Sequence, residues 1–263
     1  MPAPTSHTEA QKFFDQIAED YRIRSEGQVY NVSSLSFSRR KDIVTSLLDL
    51  TPEGGTVLDY GMGPAVFGPP AAKRGCRYIG LDISQKMIDL AKTMNIPGAE
   101  YHLGDLDLLA NFQNSADTVL LIGLIDYLED PAAGLRALAR TVKPGGRIIL
   151  SFRNRRSLPR FLRDTCKALW RMIRKETHAD GRAFAAPVLE RSFVPQRDFV
   201  PVLREEGFQE FEVRYLDCSP VFWKMPLPKP VWHLWKRMDE IFSRSFLSMF
   251  CASGALMASG KRA

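Results

Sequence analysis

T-V-L-D-Y-G-M-G-P-A-V-F-G (Thr56–Gly68), followed a short way on by R-Y-I-G-L-D (Arg77–Asp82), is the stretch that decides the fold. Val57 and Leu58 read as the end of a buried strand. Gly61-Met62-Gly63 reads as a turn whose missing side chains let backbone approach a ligand closely. A second apolar strand ends at Asp82, 19 residues beyond Gly63. A carboxylate on that neighbouring strand tip is placed to accept both hydroxyls of a ribose. Strand, glycine turn, helix, strand and acid make the nucleoside-binding half of a doubly wound sheet.

The details separate two kinds of nucleoside ligand. A dinucleotide site expects G-x-G-x-x-G with a helix N-terminus aimed at the pyrophosphate. Here the third position after Gly63 is Val66, so that glycine is missing. Asp59, two residues before Gly61, is a poor neighbour for pyrophosphate and a good one for an amino-acid ammonium. S-adenosylmethionine carries a ribose, an ammonium and a sulfonium but no phosphate, and the two acids suit it better.

Four further motifs follow in order: Y-I-G-L-D-I-S-Q-K-M-I-D-L-A-K (78–92), H-L-G-D-L-D (102–107), A-D-T-V-L-L-I-G-L-I-D-Y-L-E-D-P (116–131) and L-A-R-T-V-K-P-G-G-R-I-I-L-S-F (138–152). Together they resemble a class I S-adenosylmethionine-dependent methyltransferase over roughly residues 54–152. The resemblance implies a Rossmann-like, doubly wound, seven-stranded, mainly parallel α/β sheet whose last strand adds antiparallel between strands five and six. It also implies an N-terminal helical lid, a helical insertion after strand five, and S-adenosylhomocysteine as product. The family's third glycine of G-x-G-x-G is Ala65 here, a methyl group able to move the methionine tail.

The core alternates as the resemblance requires: strand 56–60, helix 64–74, strand 77–82, helix 84–94, strand 100–103, helix 106–113, strand 117–122, helix 131–141 and strand 146–151. That alternation argues a parallel sheet with right-handed crossovers. Ser84 caps the second helix. Met87, one turn in, lies either on the adenine face or in ordinary helix packing. Asp105 is placed to accept the adenine amino group, to cap the next helix, or both; Asp107 reads as a solvated first-turn acid. Asp59, Gly61, Gly63, Asp82, Ile83, Met87, Asp105, Leu106 and Ile122 are the expected cofactor residues of the core.

Ahead of the core, residues 9–24 show helical apolar spacing at Phe13/Phe14, Ile17 and Tyr21, and a second helix is expected from Phe37 to Leu50. By resemblance, these helices lid the cofactor. Tyr21 and Arg40 reach its methionine end, and Arg40 pairs with the carboxylate. Without the resemblance they read as a core tyrosine and a surface arginine.

The stretch from Gly123 to Tyr127 lies beyond the carboxyl end of strand four, where ligands of open α/β sheets bind. It lacks the Asn/Asp-Pro-Pro-Tyr/Phe motif of methyltransferases that act on planar amines. Asp126 and Tyr127 are its polar residues, read as catalytic candidates or as packing and capping at a helix edge. Gly123 and Tyr127 stand where related ubiquinone-biosynthesis O-methyltransferases have a metal-binding acid and histidine, so no metal is expected. Of the four histidines, His178 is the candidate base, because it follows the insertion helix.

Bulk properties narrow the class. The 263 residues suit one domain, divided into a lid (1–52), a cofactor core (53–152), an insertion (153–190) and a C-terminal part (191–263). The polar start M-P-A-P-T-S-H-T-E-A-Q-K does not read as a signal peptide, and no apolar run approaches the length that spans a bilayer. Cys76, Cys166, Cys218 and Cys251 are scattered and read as reduced thiols of a cytoplasmic protein. A net charge of +6 suggests an anionic partner.

That charge concentrates in the insertion. From Arg153 to Glu176 there are seven Arg and two Lys against one Asp and one Glu. Leu158, Phe161, Leu162, Leu169, Trp170, Met172 and Ile173 fall mostly at helical spacing. Such a basic amphipathic helix fits either a lid packed on the domain or contact with the inner membrane face. R-M-I-R-K-E-T-H (171–178) also resembles the stretch after strand five in ubiquinone-biosynthesis O-methyltransferases. An RNA-binding role lacks any recognisable module.

Beyond the insertion, a helix is expected to end at Gly207 and a sixth strand to span 209–217. The aromatic stretch 218–251 is expected to form a second wall for an apolar substrate or a docking surface for the 153–176 helix, and the last strand to span 254–261. The expected function is methyl transfer to a small, lipophilic or aromatic acceptor, oxygen favoured over nitrogen. An RNA methyltransferase and a non-catalytic cofactor-binding scaffold are the alternatives.

Overall fold

The computed structural model describes residues 7–25, 30–162, 164–166, 191–218 and 227–262. Seven strands, β1 (Thr56–Tyr60), β2 (Arg77–Asp82), β3 (Glu100–Leu103), β4 (Ala116–Leu121), β5 (Val142–Arg153), β6 (Phe208–Leu216) and β7 (Gly254–Lys261), form one sheet. Their order is β3-β2-β1-β4-β5-β7-β6. The first five pair in parallel, while β7 runs antiparallel between β5 and β6. This is the expected doubly wound sheet, and the order reverses at β1, where chain leaves for β2 on one side and β4 on the other.

Strand alternation divides the core into two layers. On one face Val57, Tyr78, Leu120, Ile149 and Leu256 meet Val44, Leu47 and Leu48 of α2 (Val32–Leu48), Ala71 of α3 (Gly68–Lys73) and Ile88 and Ala91 of α4 (Gln85–Thr93). On the other, Leu58, Ile79, Val119, Ile148 and Met257 meet Leu109 of a 3-10 helix (Leu106–Phe112), Leu135 and Leu138 of α5 (Pro131–Thr141) and Leu203. Each fully buried aliphatic side chain contributes roughly 1.5–3 kcal/mol. The lid helix α1 (His7–Ser25) lies across the carboxyl ends of the strands. Its Asp15 accepts from the Ser84 hydroxyl at 2.5 Å, just where Ser84 caps α4 by accepting from the Met87 amide at 3.2 Å.

Several boundaries differ from the sequence reading, each for a local reason. The helix expected at 64–74 starts at Gly68, because residues 61–67 close tight turns and Ala65 takes φ +54°. The second helix starts at Val32 rather than Phe37: Asn31 and Ser34 exchange side-chain and backbone hydrogen bonds of 2.8 and 3.0 Å in a capping box with serine where glutamate is usual. The helix expected at 106–113 is wound as 3-10, and β5 begins at Val142, ahead of the glycine pair. The helix before Gly207 is two short ones, α6 (Pro195–Asp198) and α7 (Val200–Glu205), broken at Phe199.

The aromatic stretch 218–251 holds α8 (Lys229–Ser243) and a last short helix, α9 (Ser248–Cys251). Trp232 is buried, and its indole N–H donates to the Asn31 carbonyl (3.1 Å) and the Ser34 hydroxyl (3.2 Å). None of the described residues of 227–251 lines the central cavity, and through Trp232 this part buttresses α2. Residues 158–162 and 164–166 of the insertion are helical. Leu169, Trp170, Met172, Ile173 and His178 lie outside the described residues.

Candidate active site

A cavity of about 580 Å³ opens at the carboxyl ends of β1, β2 and β4. Its floor is the glycine turn, where Gly61 (φ +71°) and Gly63 (φ +54°) both take left-handed backbone. A side chain on Gly61 would be strained by this backbone, and its Cβ, 2.5 Å from Leu124 Cδ2, would push Leu124 aside. The turn is held by its neighbours. The amides of Gly61 and Met62 donate to the Leu81 carbonyl at 2.8 and 3.1 Å, and the Gly63 amide donates to Asp82 Oδ2 at 2.9 Å. Asp82 Oδ1 accepts the Ser84 amide at 2.9 Å. The Ile83 amide is a third backbone donor to this carboxylate, which still has capacity for a further donor from the cavity. Burial pushes the Asp82 carboxyl up, against the opposing pull of these amides.

Asp59 lies beneath the turn, 1% exposed, accepting from the Tyr78 hydroxyl at 2.7 Å. Burial raises its carboxyl to about 7; the Tyr78 bond opposes this and the nearby Asp82 charge adds to it. A buried acid poised there gains most from a cation. Asp59 lines a small recess of about 30 Å³ with Tyr21, Phe37, Arg40, Gly61 and Ile122. Tyr21, Gly61 and Ile122 also line the larger cavity, so the two adjoin. Arg40 stacks on Phe37 at 5.6 Å, and its buried Nε has no hydrogen-bond partner. An orphaned guanidinium N–H of this kind calls for an anion. Gly123 (φ +75°) leaves it room, since a Cβ there would lie 3.0 Å from Arg40 Nη1.

At the far side of the cavity stand Ile83, Met87, Asp105 and Leu106. Asp105 stands at the N-cap position of the 3-10 helix, but its side chain accepts from the Tyr60 hydroxyl and makes no capping bond. Met87 is buried in α4 and lines the cavity. The remaining wall is Phe14, Leu124, Tyr127, Leu128 and Glu129. Phe14 and Tyr127 meet edge to face at 6.0 Å.

Asp126 does not line this wall. It is 5% exposed, accepts the Arg153 amide at 3.1 Å and pairs with Arg153 Nε at 3.5 Å. Burial raises its carboxyl and the Arg153 contacts pull it back. Arg153 in turn stacks on the Tyr127 ring at 5.9 Å and donates to its hydroxyl at 3.5 Å. Asp126 thus braces β5 and, through Arg153, Tyr127. Among the cavity residues that the sequence reading missed are Phe14, Tyr60, Leu128, Glu129 and Asp130. Tyr60 alone had a signal, as the last strand residue before the glycine turn.

A family model described as a methyltransferase domain matches residues 35–209, well over half of the chain. The chain belongs to this family. Its class, S-adenosylmethionine-dependent with the class I fold, agrees with the resemblance drawn from the motifs. A ubiquinone biosynthesis O-methyltransferase of Xanthomonas oryzae is 32% identical over 120 residues, which is 44% of this chain and 49% of that protein. The chain thus spans about half the length of the curated relatives it matches. Among solved structures, magnesium protoporphyrin IX methyltransferase of Synechocystis with bound S-adenosylhomocysteine aligns at TM-score 0.64 and 18% identity, over 97% of this chain and 100% of that one. The [4+2]-cyclase SpnF aligns at TM-score 0.60 and 16% identity, over 100% and 98%. At these identities the likeness shows the fold alone.

The residues present fit S-adenosylmethionine. Arg40 has an unpartnered N–H for its carboxylate, Asp59 a buried carboxyl for its ammonium, and Asp82 a carboxyl at the cavity wall for its ribose. Met87, Ile83 and Leu106 offer an apolar slot for a purine, with Asp105 at its rim.

Proposed function

We propose that the enzyme methylates a small lipophilic or aromatic acceptor, at oxygen in preference to nitrogen, in the half of the cavity bounded by Phe14, Tyr127 and Leu128. The observation that supports this is the wall itself: it is continuous with the cofactor half, and aromatic or aliphatic apart from Glu129 and the helix-capping Asp130. S-adenosylmethionine supplies the electrophilic methyl when bound. The chain's task is to hold the acceptor atom in line with it and to keep water out. Phe14 and Tyr127, packed edge to face, present an aromatic corner to the acceptor, and Arg153 fixes the Tyr127 hydroxyl at its edge. An oxygen acceptor must lose its proton, and His178 is the proposed base. Asp126 is proposed as a positioning residue behind Tyr127. The matched O-methyltransferases lend support, because their chemistry has the same acceptor class in its name. The basic segment 153–176 is proposed to place the enzyme at the inner membrane face, where lipophilic acceptors dissolve. Among the described residues, no helix is long and apolar enough to cross a membrane.

The test gives purified protein methyl-labelled S-adenosylmethionine and an extract of the source cells, then partitions the label. Label in the organic phase is the expected result. Label confined to the aqueous phase would overturn the lipophilic acceptor, and nuclease digestion would then separate a polar metabolite from RNA.

A further inference from the structure

The helix α8 reads K-P-V-W-H-L-W-K-R-M-D-E-I-F-S (229–243), and its apolar residues divide between two directions. Trp232 and Asp239 point inward. Trp232 is anchored on Asn31 and Ser34, and Asp239 accepts the Cys218 amide at 2.7 Å and faces Arg39 Nε at 3.3 Å. With the inner face so fixed, Val231, Leu234, Met238 and Ile241 form a stripe at spacings of three, four and three, which is one face of a helix. That face is turned to solvent, from 41% exposed at Val231 to 73% at Ile241. Phe246 and Leu247 extend it past the helix end, at 77% and 57%.

A second exposed cluster stands at the start of the insertion, where Leu158, Phe161 and Leu162 are all more than half exposed. The two clusters are tied together at their bases. Asn154 Nδ2 donates to the carbonyls of Met249 (2.8 Å) and Ala252 (2.9 Å), and Arg156 Nη1 contacts Met249 Sδ at 3.1 Å. Monomeric proteins rarely leave so many large apolar side chains open on neighbouring elements.

Charge says what covers it. Lys229, Lys236, Arg237 and Arg244 lie on α8 and its end, and Arg155 and Arg156 beside the second cluster. The two acids of α8 are already answered: Asp239 is buried against Arg39, and Glu240 pairs with Arg39 (3.6 Å) and Arg244 (3.3 Å). Lys236 pairs with Asp42 at 2.7 Å and Lys229 stacks on the Tyr30 ring at 5.6 Å, which leaves Arg237, Arg155 and Arg156 as the outward cations. A second copy of the chain seated on this face would bring like charges together. An anionic bilayer would take the apolar stripe below its headgroups and the cations at their level. We propose that α8, with Phe246 and Leu247, docks the enzyme on an anionic lipid surface. This deepens the proposed membrane placement but rests on different residues, and it is independent of the acceptor.

The test is co-sedimentation of the full chain with vesicles of phosphatidylcholine alone and of phosphatidylcholine with phosphatidylglycerol. The wild type is expected to bind the anionic vesicles, and L234D/I241D to bind them at least about tenfold more weakly. Both positions are exposed, so S-adenosylhomocysteine affinity and circular dichroism should be unchanged in the variant. Binding by the variant equal to wild type would overturn the role of α8 and leave segment 153–176 as the contact. No binding by the wild type would overturn both. A wild-type dimer in light scattering that L234D/I241D dissociates would replace the bilayer with a second copy.

Discussion

At the cofactor end of the cavity, Asp59, Gly61, Gly63 and Asp82 sit on the tips of two adjacent parallel strands, and backbone hydrogen bonds fix each one. At the acceptor end, Phe14 comes from the lid and Tyr127 and Glu129 from the turn after β4, joined mainly by ring packing and by the Asp126–Arg153 pair. The first end is built by the sheet, so its geometry follows from residues close in sequence. The second is assembled by elements that meet only in the folded chain, and so specificity can vary there without disturbing the sheet.

The largest expected effect probes the first end. Asp82→Asn cannot accept from both ribose hydroxyls while holding the Gly63 and Ser84 amides, so S-adenosylhomocysteine affinity should fall about 10²-fold or more. Calorimetric titration measures this, and a loss under threefold would remove Asp82 from the ribose. His178→Gln should cut turnover by about 10²-fold with cofactor affinity unchanged, if the two ends are separable as described. Wild-type turnover in that variant would end the base assignment.

Arg40→Gln should weaken S-adenosylhomocysteine about 10–100-fold while leaving methylthioadenosine, which lacks the amino-acid tail, unaffected. Equal losses for both ligands would show that Arg40 holds the lid and not a carboxylate. This site illustrates what a sequence can carry. The glycines, Asp59 and Asp82 were legible because strand tips place them by spacing alone. Arg40 came only from family resemblance, because nothing in F-S-R-R-K tells which arginine turns inward; Arg39 does so too, toward Asp239. Phe14 and Glu129 were illegible because their roles depend on how a lid helix crosses the sheet.

Acidity gives a graded test of Asp59. Its carboxyl is held at about 7 in the fold and is ordinarily near 3.8, so the folded protein binds the extra proton and loses that stability as pH rises from about 4 to 7. An ammonium favours the ionised form. Cofactor affinity should therefore rise by up to about tenfold per pH unit toward pH 7 and then level off, with proton release below that point. Titration in buffers of different ionisation enthalpy detects the released proton, and a flat profile from pH 5 to 7 would detach Asp59 from the ammonium.

The smallest effect concerns the turn itself. Ala65 is buried at φ +54°, a conformation that costs an alanine about 1–2 kcal/mol. Ala65→Gly relieves it, offset in part by the greater freedom of glycine in the unfolded chain. A rise in thermal midpoint of a few degrees is expected. A fall would mean that the Ala65 methyl packs better than its backbone is strained.

The central claim is that this cavity binds an S-adenosyl amino acid and not a dinucleotide. It is tested most directly by titrating the wild-type protein, in parallel, with S-adenosylhomocysteine and with a nicotinamide dinucleotide. The acids at Asp59 and Asp82 and the guanidinium at Arg40 predict one-to-one binding of the former and no measurable heat from the latter. Tight binding of the dinucleotide, or none of S-adenosylhomocysteine, would contradict the account.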